Sequence, residues 1–213
     1  MRHALLGCAY RSQPTADPLA TRLAITGSGG YLAQQLITRL GSDPDVEFIL
    51  GLDIRPREAK VKCEALFLRF DLTAPWSDLR DLFQSHAINT AMHLAWQFNP
   101  IHNHRRHRQV DIEGSRNLLR AAAAAGLKRV IYTSSTTAYV NPGNPEDPPF
   151  LSEETPVTGT PRYLYSKHKA EVDRMVQTVH GRASGDLGHH SQAVDRPGPA
   201  YTQHRQQSLP LDI

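Results

Sequence analysis

Cysteine is scarce. Cys8 and Cys63 are the two cysteines in 213 residues, so no disulfide framework holds the chain, and a reducing, cytoplasmic compartment fits. Charge of one sign is lacking too. The formal net charge is +3, a small excess beside the clustered basic face of a nucleic-acid binder. No apolar run approaches the length of a membrane span. Leu5-Leu6-Gly7-Cys8 looks like a lipoprotein cleavage box, yet the apolar stretch before it is only Ala4 to Leu6, too short for a signal-peptide core. Residues 1–20, with Pro14 and Pro18, read instead as a flexible extension. Hydrophobic residues make up 39% and charged residues 21%, a globular but somewhat polar balance. A chain of 213 residues can hold one domain with a real core.

The organising stretch is Leu23-Ala24-Ile25-Thr26-Gly27-Ser28-Gly29-Gly30-Tyr31-Leu32-Ala33. A β-type run stops at a glycine cluster, and a helical pattern through Tyr31, Leu32, Leu36, Ile37 and Leu40 begins. Glycines let the backbone turn sharply and approach a ligand with no Cβ in the way. The amides and positive dipole end of the helix then face a diphosphate. Asp53 closes the next strand-like run, twenty residues after Ala33, where a carboxylate can accept both ribose hydroxyls of an adenosine.

Strands are predicted over 46–53, 65–70, 90–94 and 130–133, and helices over 76–85, 109–125 and 162–179. Gly126 caps the alanine-rich helix. A proline-rich loop spans 141–161. Strands alternating with helices predict an α/β fold, a doubly wound parallel sheet with helices on both faces. Its ligand crevice lies past the carboxyl ends of the strands, where Asp53, Asp71, Ala95 and Ser134-Ser135 fall. Residues 21–180 form the expected domain. Residues 181–213, rich in Gly, His, Gln, Arg and Pro, read as an irregular tail.

Tyr165-Ser166-Lys167-His168-Lys169 places Tyr165 and Lys169 four apart, on one face of a helix start. A neighbouring ammonium favours the phenolate and makes tyrosine a usable acid or base. Ser135, just past the fifth strand, is placed to hold a substrate oxygen. Tyr163 and Lys167 offer a competing register. The run of Lys169-Ala170-Glu171 straight into an amphipathic helix favours Tyr165.

In combination and order, these motifs resemble the extended short-chain dehydrogenase/reductase family, the NAD-dependent epimerases and dehydratases of sugars and steroids. Thr26–Ala33 matches the family's T-G-x-x-G-x-x-G/A turn, with Ala33 in place of the third glycine. Asp71-Leu72 matches its adenine-contacting pair, and His93-Leu94-Ala95 its H-x-A. Asp111–Leu119 resembles its N-V-x-G-T-x-N-L-L helix, Tyr132–Tyr139 its S-S-S-x-x-x-Y segment, and Tyr165 with Lys169 its Y-x-x-x-K.

The resemblance implies that Gly27, Gly30, Tyr31 and Leu32 hold the pyrophosphate of NAD, and Asp53 the adenosine ribose. Asp71, Leu72, Leu94 and Ala95 complete the cofactor site. Tyr165 is the implied acid/base, Lys169 binds the nicotinamide ribose and tunes it, and Ser135 orients the substrate oxygen. The implied reaction is hydride transfer at a hydroxyl or carbonyl carbon of a sugar-nucleotide or steroid-like small molecule, serving oxidoreduction, epimerisation or dehydration. A homodimer through the helices holding Asn117 and Tyr165 follows by the same analogy. Two other readings stay open: a non-catalytic NAD(P)-sensing module, and an inactive truncated fragment.

The chain departs from the family in three places. Asp111 stands where the family has an asparagine credited with holding a relay water, and an ionised carboxylate cannot donate. Arg196-Pro197-Gly198-Pro199-Ala200-Tyr201 only faintly echoes a family strand end, and the family's later substrate-binding part is missing after it. This tail reads as truncation or a frame change.

Arg55 and Arg57 could neutralise the 2′-phosphate of NADP, but Asp53 repels it and favours NAD. His102, His104 and His107 form a basic cluster with Arg105, Arg106 and Arg108. Without carboxylate or Cys ligands beside it, the cluster reads as a solvated helix start rather than a metal site. Trp96 could line a pocket or plug the core edge. His189-His190 carry no expected role.

Overall fold

The computed structural model describes residues 20–97, 103–140, 150–152, 154–185 and 206–210. Strands β1 (Thr21–Thr26), β2 (Val46–Asp53), β3 (Glu64–Arg69), β4 (Thr90–His93), β5 (Arg129–Thr133) and β6 (Gln206–Pro210) form one sheet in the order β3-β2-β1-β4-β5-β6. The pairs among β1–β5 are parallel, as right-handed crossovers require. The chain reverses on either side of β1, so the crevice opens at the carboxyl ends of β1 and β4.

Alternation along β1 divides the core. Ala24 faces a cluster with Phe48, Leu50, Ala91 and Val130, closed by Leu79 and Phe83 of α2 (Trp76–Ser85), Leu118 and Ala122 of α4 (Gly114–Ala125), and Val172 and Val176 of α5 (Leu164–Gly185). Leu23 and Ile25 face the opposite side with Ile49 and Met92, closed by Ala33 and Ile37 of α1 (Tyr31–Leu40). Helices therefore cover both faces. No helix among the described residues is long and apolar enough to cross a membrane.

Several details differ from the sequence reading. Tyr31 and Leu32, counted in the apolar pattern of α1, are 83% and 50% exposed. They open the helix at the crevice, so its core stripe is Ala33, Leu36, Ile37 and Leu40. The helix expected from residue 109 begins earlier, as α3 (His104–Arg108), and passes through a π turn (Gln109–Glu113) before α4. Gly126 does cap α4, in the left-handed conformation at φ 70°.

Within the segment read as an irregular tail, α5 runs on to Gly185, and Gln206–Pro210 lies antiparallel along β5. The exposed backbone edge of β5 supplies that pairing. The expectations for residues 1–19, His102, 141–149, His189-His190 and Arg196–Tyr201 fall outside the described residues.

Candidate active site

The turn after β1 is fixed by its neighbours. Gly27 has φ 71°, and a Cβ there would lie 2.7 Å from the Cα of Ala95. The glycine turn thus rests directly on the segment after β4, and Leu94 and Ala95 wall it. Asp53, at the end of β2, accepts from the Gly29 amide at 3.0 Å and the Arg55 amide at 2.8 Å. Each oxygen keeps a lone pair for a further donor. A Cβ on Gly29 would meet the Arg55 carbonyl at 2.6 Å. Gly30 is the N-cap of α1, and no side chain caps it. A helix start left open, beneath a turn with no room for side chains, fits a pyrophosphate.

Asp71 ends β3's run. Its carboxylate accepts from the amide and hydroxyl of Thr73 and from Arg106 at 2.9 Å. Partial burial works to raise this carboxyl, but these donors outweigh it and hold it below its usual range. Leu72 is buried, and its carbonyl accepts from Asn117 at 2.9 Å. The adenine-side loop is therefore anchored to α4.

His93 is the hub beneath the turn. Its Nδ1 lies 2.8 Å from the Thr26 hydroxyl and its Nε2 2.8 Å from Ser115. Ser115 gives its own proton to the Asp111 carbonyl. His93 must therefore donate from Nε2 and accept from Thr26 at Nδ1, a neutral tautomer. Burial, aided by the Lys169 charge, pushes His93 down to about 3.

Ser135, Tyr165 and Lys169 meet past the end of β5. Tyr165 is half-buried and hydrogen-bonded to Ser135. Burial, the larger effect, raises the phenol above its ordinary value although the Ser135 hydrogen bond pulls it down, so the lowering expected from a neighbouring ammonium is corrected. Lys169 is 4% exposed, donates to the Thr133 carbonyl at 2.7 Å, and has Nζ 5.9 Å from the Tyr165 ring centroid. Burial pushes its ammonium down to about 7, against the pull of the Asp111 and Asp173 carboxylates. In the competing register, Tyr163 is 53% exposed, and Lys167 is exposed as well.

Three residues, Asp173, His107 and His168, carry parts the sequence reading missed. Trp96 does both things considered for it. It packs on the core, and its ring lies against Lys169 and, edge-on at 6.0 Å, Tyr165. Among the described residues, its indole Nε1 and the Tyr132 hydroxyl are buried with no hydrogen-bond partner. Asp173 is fully buried and accepts from Ser134 and, at 2.6 Å, from Tyr139. Its position four residues after Lys169, on one helix face, was the available signal.

Asp111 is 1% exposed. Its Oδ2 lies 2.9 Å from His168 Nδ1 and 3.1 Å from His107 Nε2, and its Oδ1 accepts from the Gln97 amide. His107 is 3% exposed, so the expectation of a solvated histidine is corrected. One turn of helix brings the Asp111 carboxylate to it, and tertiary packing brings His168.

Residues 23–186 match the NAD dependent epimerase/dehydratase family. The 3 beta-hydroxysteroid dehydrogenase/Delta 5→4-isomerase of vaccinia virus is 27% identical over 159 residues, which cover 72% of this chain and 44% of the viral protein. The chain thus spans under half the length of that relative. A short-chain dehydrogenase/reductase superfamily protein from Agrobacterium tumefaciens, solved with bound NAD, superposes with TM-score 0.59 at 25% identity, over 75% of this chain and 45% of that one. Uronate dehydrogenase from the same organism superposes with TM-score 0.62 at 20% identity, over 77% and 57%. The ordered glycine turn, acidic strand end and strand-end crevice lie within the matched residues, and the chain belongs to the NAD dependent epimerase/dehydratase family.

Proposed function

We propose that this chain binds NAD across the crevice and performs hydride transfer at a hydroxyl or carbonyl carbon of a sugar-nucleotide or steroid-like substrate. The observation that carries the reading is the meeting of Ser135, Tyr165 and Lys169 at the same sheet end as the glycine turn and Asp53. Gly27, Gly30 and the amides of Tyr31 and Leu32 hold the pyrophosphate. Asp53 takes the adenosine ribose on its remaining lone pairs and disfavours the 2′-phosphate of NADP. Asp71, Leu72, Leu94 and Ala95 border the adenine and the crevice wall.

The nicotinamide supplies the hydride chemistry when bound. Ser135 orients the substrate oxygen. Tyr165 takes the hydroxyl proton in the oxidising direction and returns it to the carbonyl oxygen in the reducing one. Lys169 holds the nicotinamide ribose, and the Ser135 hydrogen bond is the contact that favours the phenolate against burial. Relatives named for sugar nucleotides and for a steroid set the substrate range to test.

The experiment is a thermal shift with NAD and NADP, followed by turnover on UDP-sugars and hydroxysteroids. NAD should raise Tm more than NADP does, and a substrate of one class should turn over. Absence of any NAD shift overturns the reading. A shift with no turnover on either class removes the catalytic part and leaves a binding module.

A further inference from the structure

The segment His104-Arg105-Arg106-His107-Arg108 sorts its side chains in two directions. Arg106 turns outward to Asp71, and Arg108 turns outward to Glu171 at 2.8 Å. His107 turns inward. There it meets Asp111 of the π turn and His168 of α5, and all three residues are at most 3% exposed. His107 Nε2, Asp111 Oδ2 and His168 Nδ1 lie within 4.8 Å of one another. The Gln97 carbonyl oxygen stands 3.0 Å from His107 Nε2 and brings a fourth donor.

The spacings lie a few tenths of an ångström inside those of a closed metal cage. A tetrahedral ion with bonds of about 2.0–2.1 Å sets neighbouring donors roughly 3.3 Å apart. Here the donor pairs at Asp111 stand at 2.9 and 3.1 Å. Two imidazoles and a carboxylate suit a first-row divalent cation. The Gln97 amide fixes the other carboxylate oxygen at 3.1 Å, the kind of outer contact that orients a ligand. Asp111 sits in a π turn, an irregularity frequent at functional sites.

The two imidazoles reach one buried carboxylate oxygen from different elements, His107 from α3 and His168 from α5, at 3.1 and 2.9 Å.

We propose that His107, Asp111 and His168, with the Gln97 carbonyl, bind one Zn2+ ion. The site is buried and uses all four positions for protein donors, so it ties α3 to α5 rather than activating a substrate. Without the ion, His168 Nδ1–H donates to Asp111 and His107 Nε2–H donates to the Gln97 carbonyl. On binding, each imidazole carries its proton on the other ring nitrogen and offers a lone pair to the metal, with no net change in protons.

The test uses the untagged full chain, stripped with a chelator and titrated with ZnCl2 by calorimetry. One equivalent should bind and raise Tm. His107→Ala and His168→Ala should each weaken binding at least tenfold, while His104→Ala, at an exposed position, should leave it unchanged. Failure to bind one equivalent, or binding undiminished in both buried variants, overturns the site. If the variants do not fold, Co2+ titration of the wild type decides. Intense tetrahedral absorption bands saturating at one equivalent support the site, and the weak spectrum of the aqueous ion overturns it.

Discussion

The Lys169 ammonium lies 3.7 Å from the centroid of the Trp96 ring. Trp96 follows β4 and Lys169 lies on α5, so this contact ties two elements across the crevice. A cation over an indole face contributes roughly 0.5–2 kcal/mol, more when desolvated, and Lys169 is almost wholly buried. Trp96→Leu should lower stability by about 1–3 kcal/mol, read by urea denaturation, because packing is lost along with the ring face. An unchanged midpoint would show that the contact carries no energy.

Gly27 admits no side chain. Gly27→Ala forces a Cβ to within 2.7 Å of the Ala95 backbone at φ 71°. The strain should cost about 1–3 kcal/mol and abolish the NAD-induced thermal shift. An alanine variant with wild-type Tm and shift would remove the turn from the cofactor site.

Asp53 holds the Gly29 amide and also stands ready for the ribose. Asp53→Ala should weaken NAD binding by ten- to a hundredfold, the cost of about 1.5–3 kcal/mol for hydrogen bonds to a charged group. NADP should lose less, because the repulsion of its 2′-phosphate goes too. Calorimetric titration with both cofactors checks this, and equal losses would contradict it.

His93 gives stability a pH dependence. Its folded pKa of about 3 lies below the unfolded value near 6.5, so between these limits the unfolded chain binds more protons. The stabilisation is complete above about pH 6.5 and drains as pH falls toward 3, by at most about 1.4 kcal/mol per unit. Stability measured by denaturant from pH 7 to 4 should fall more steeply in the wild type than in His93→Gln. Parallel slopes would contradict the buried neutral tautomer.

The scaffold was legible because its signals are local. The break from Ile25 into the glycines, Asp53 at the end of an apolar run, and Gly126 after the alanines each read within a dozen residues. What needed coordinates was set by packing between distant segments. His107 looked like one of a solvated basic cluster, yet a turn of helix and α5 bury it against Asp111 and His168. Tyr31 and Leu32 read as core by type but stand exposed where α1 meets the crevice. Gln206–Pro210 has no strand-like alternation to detect, because its pairing is made by backbone along β5. The choice between Tyr165 and Tyr163 could not be made from spacing, since both have a lysine four residues on.

That choice is also where the account is most exposed. Steady-state turnover of wild type, Tyr165→Phe and Tyr163→Phe should be measured on the substrate class that the wild type accepts. Loss of the acid/base should cost Tyr165→Phe about 10²- to 10⁴-fold in kcat while its NAD-induced thermal shift persists, and Tyr163→Phe should stay within a few-fold of wild type. The reverse pattern, with activity lost in Tyr163→Phe and kept in Tyr165→Phe, would contradict the assignment of Tyr165 and Lys169.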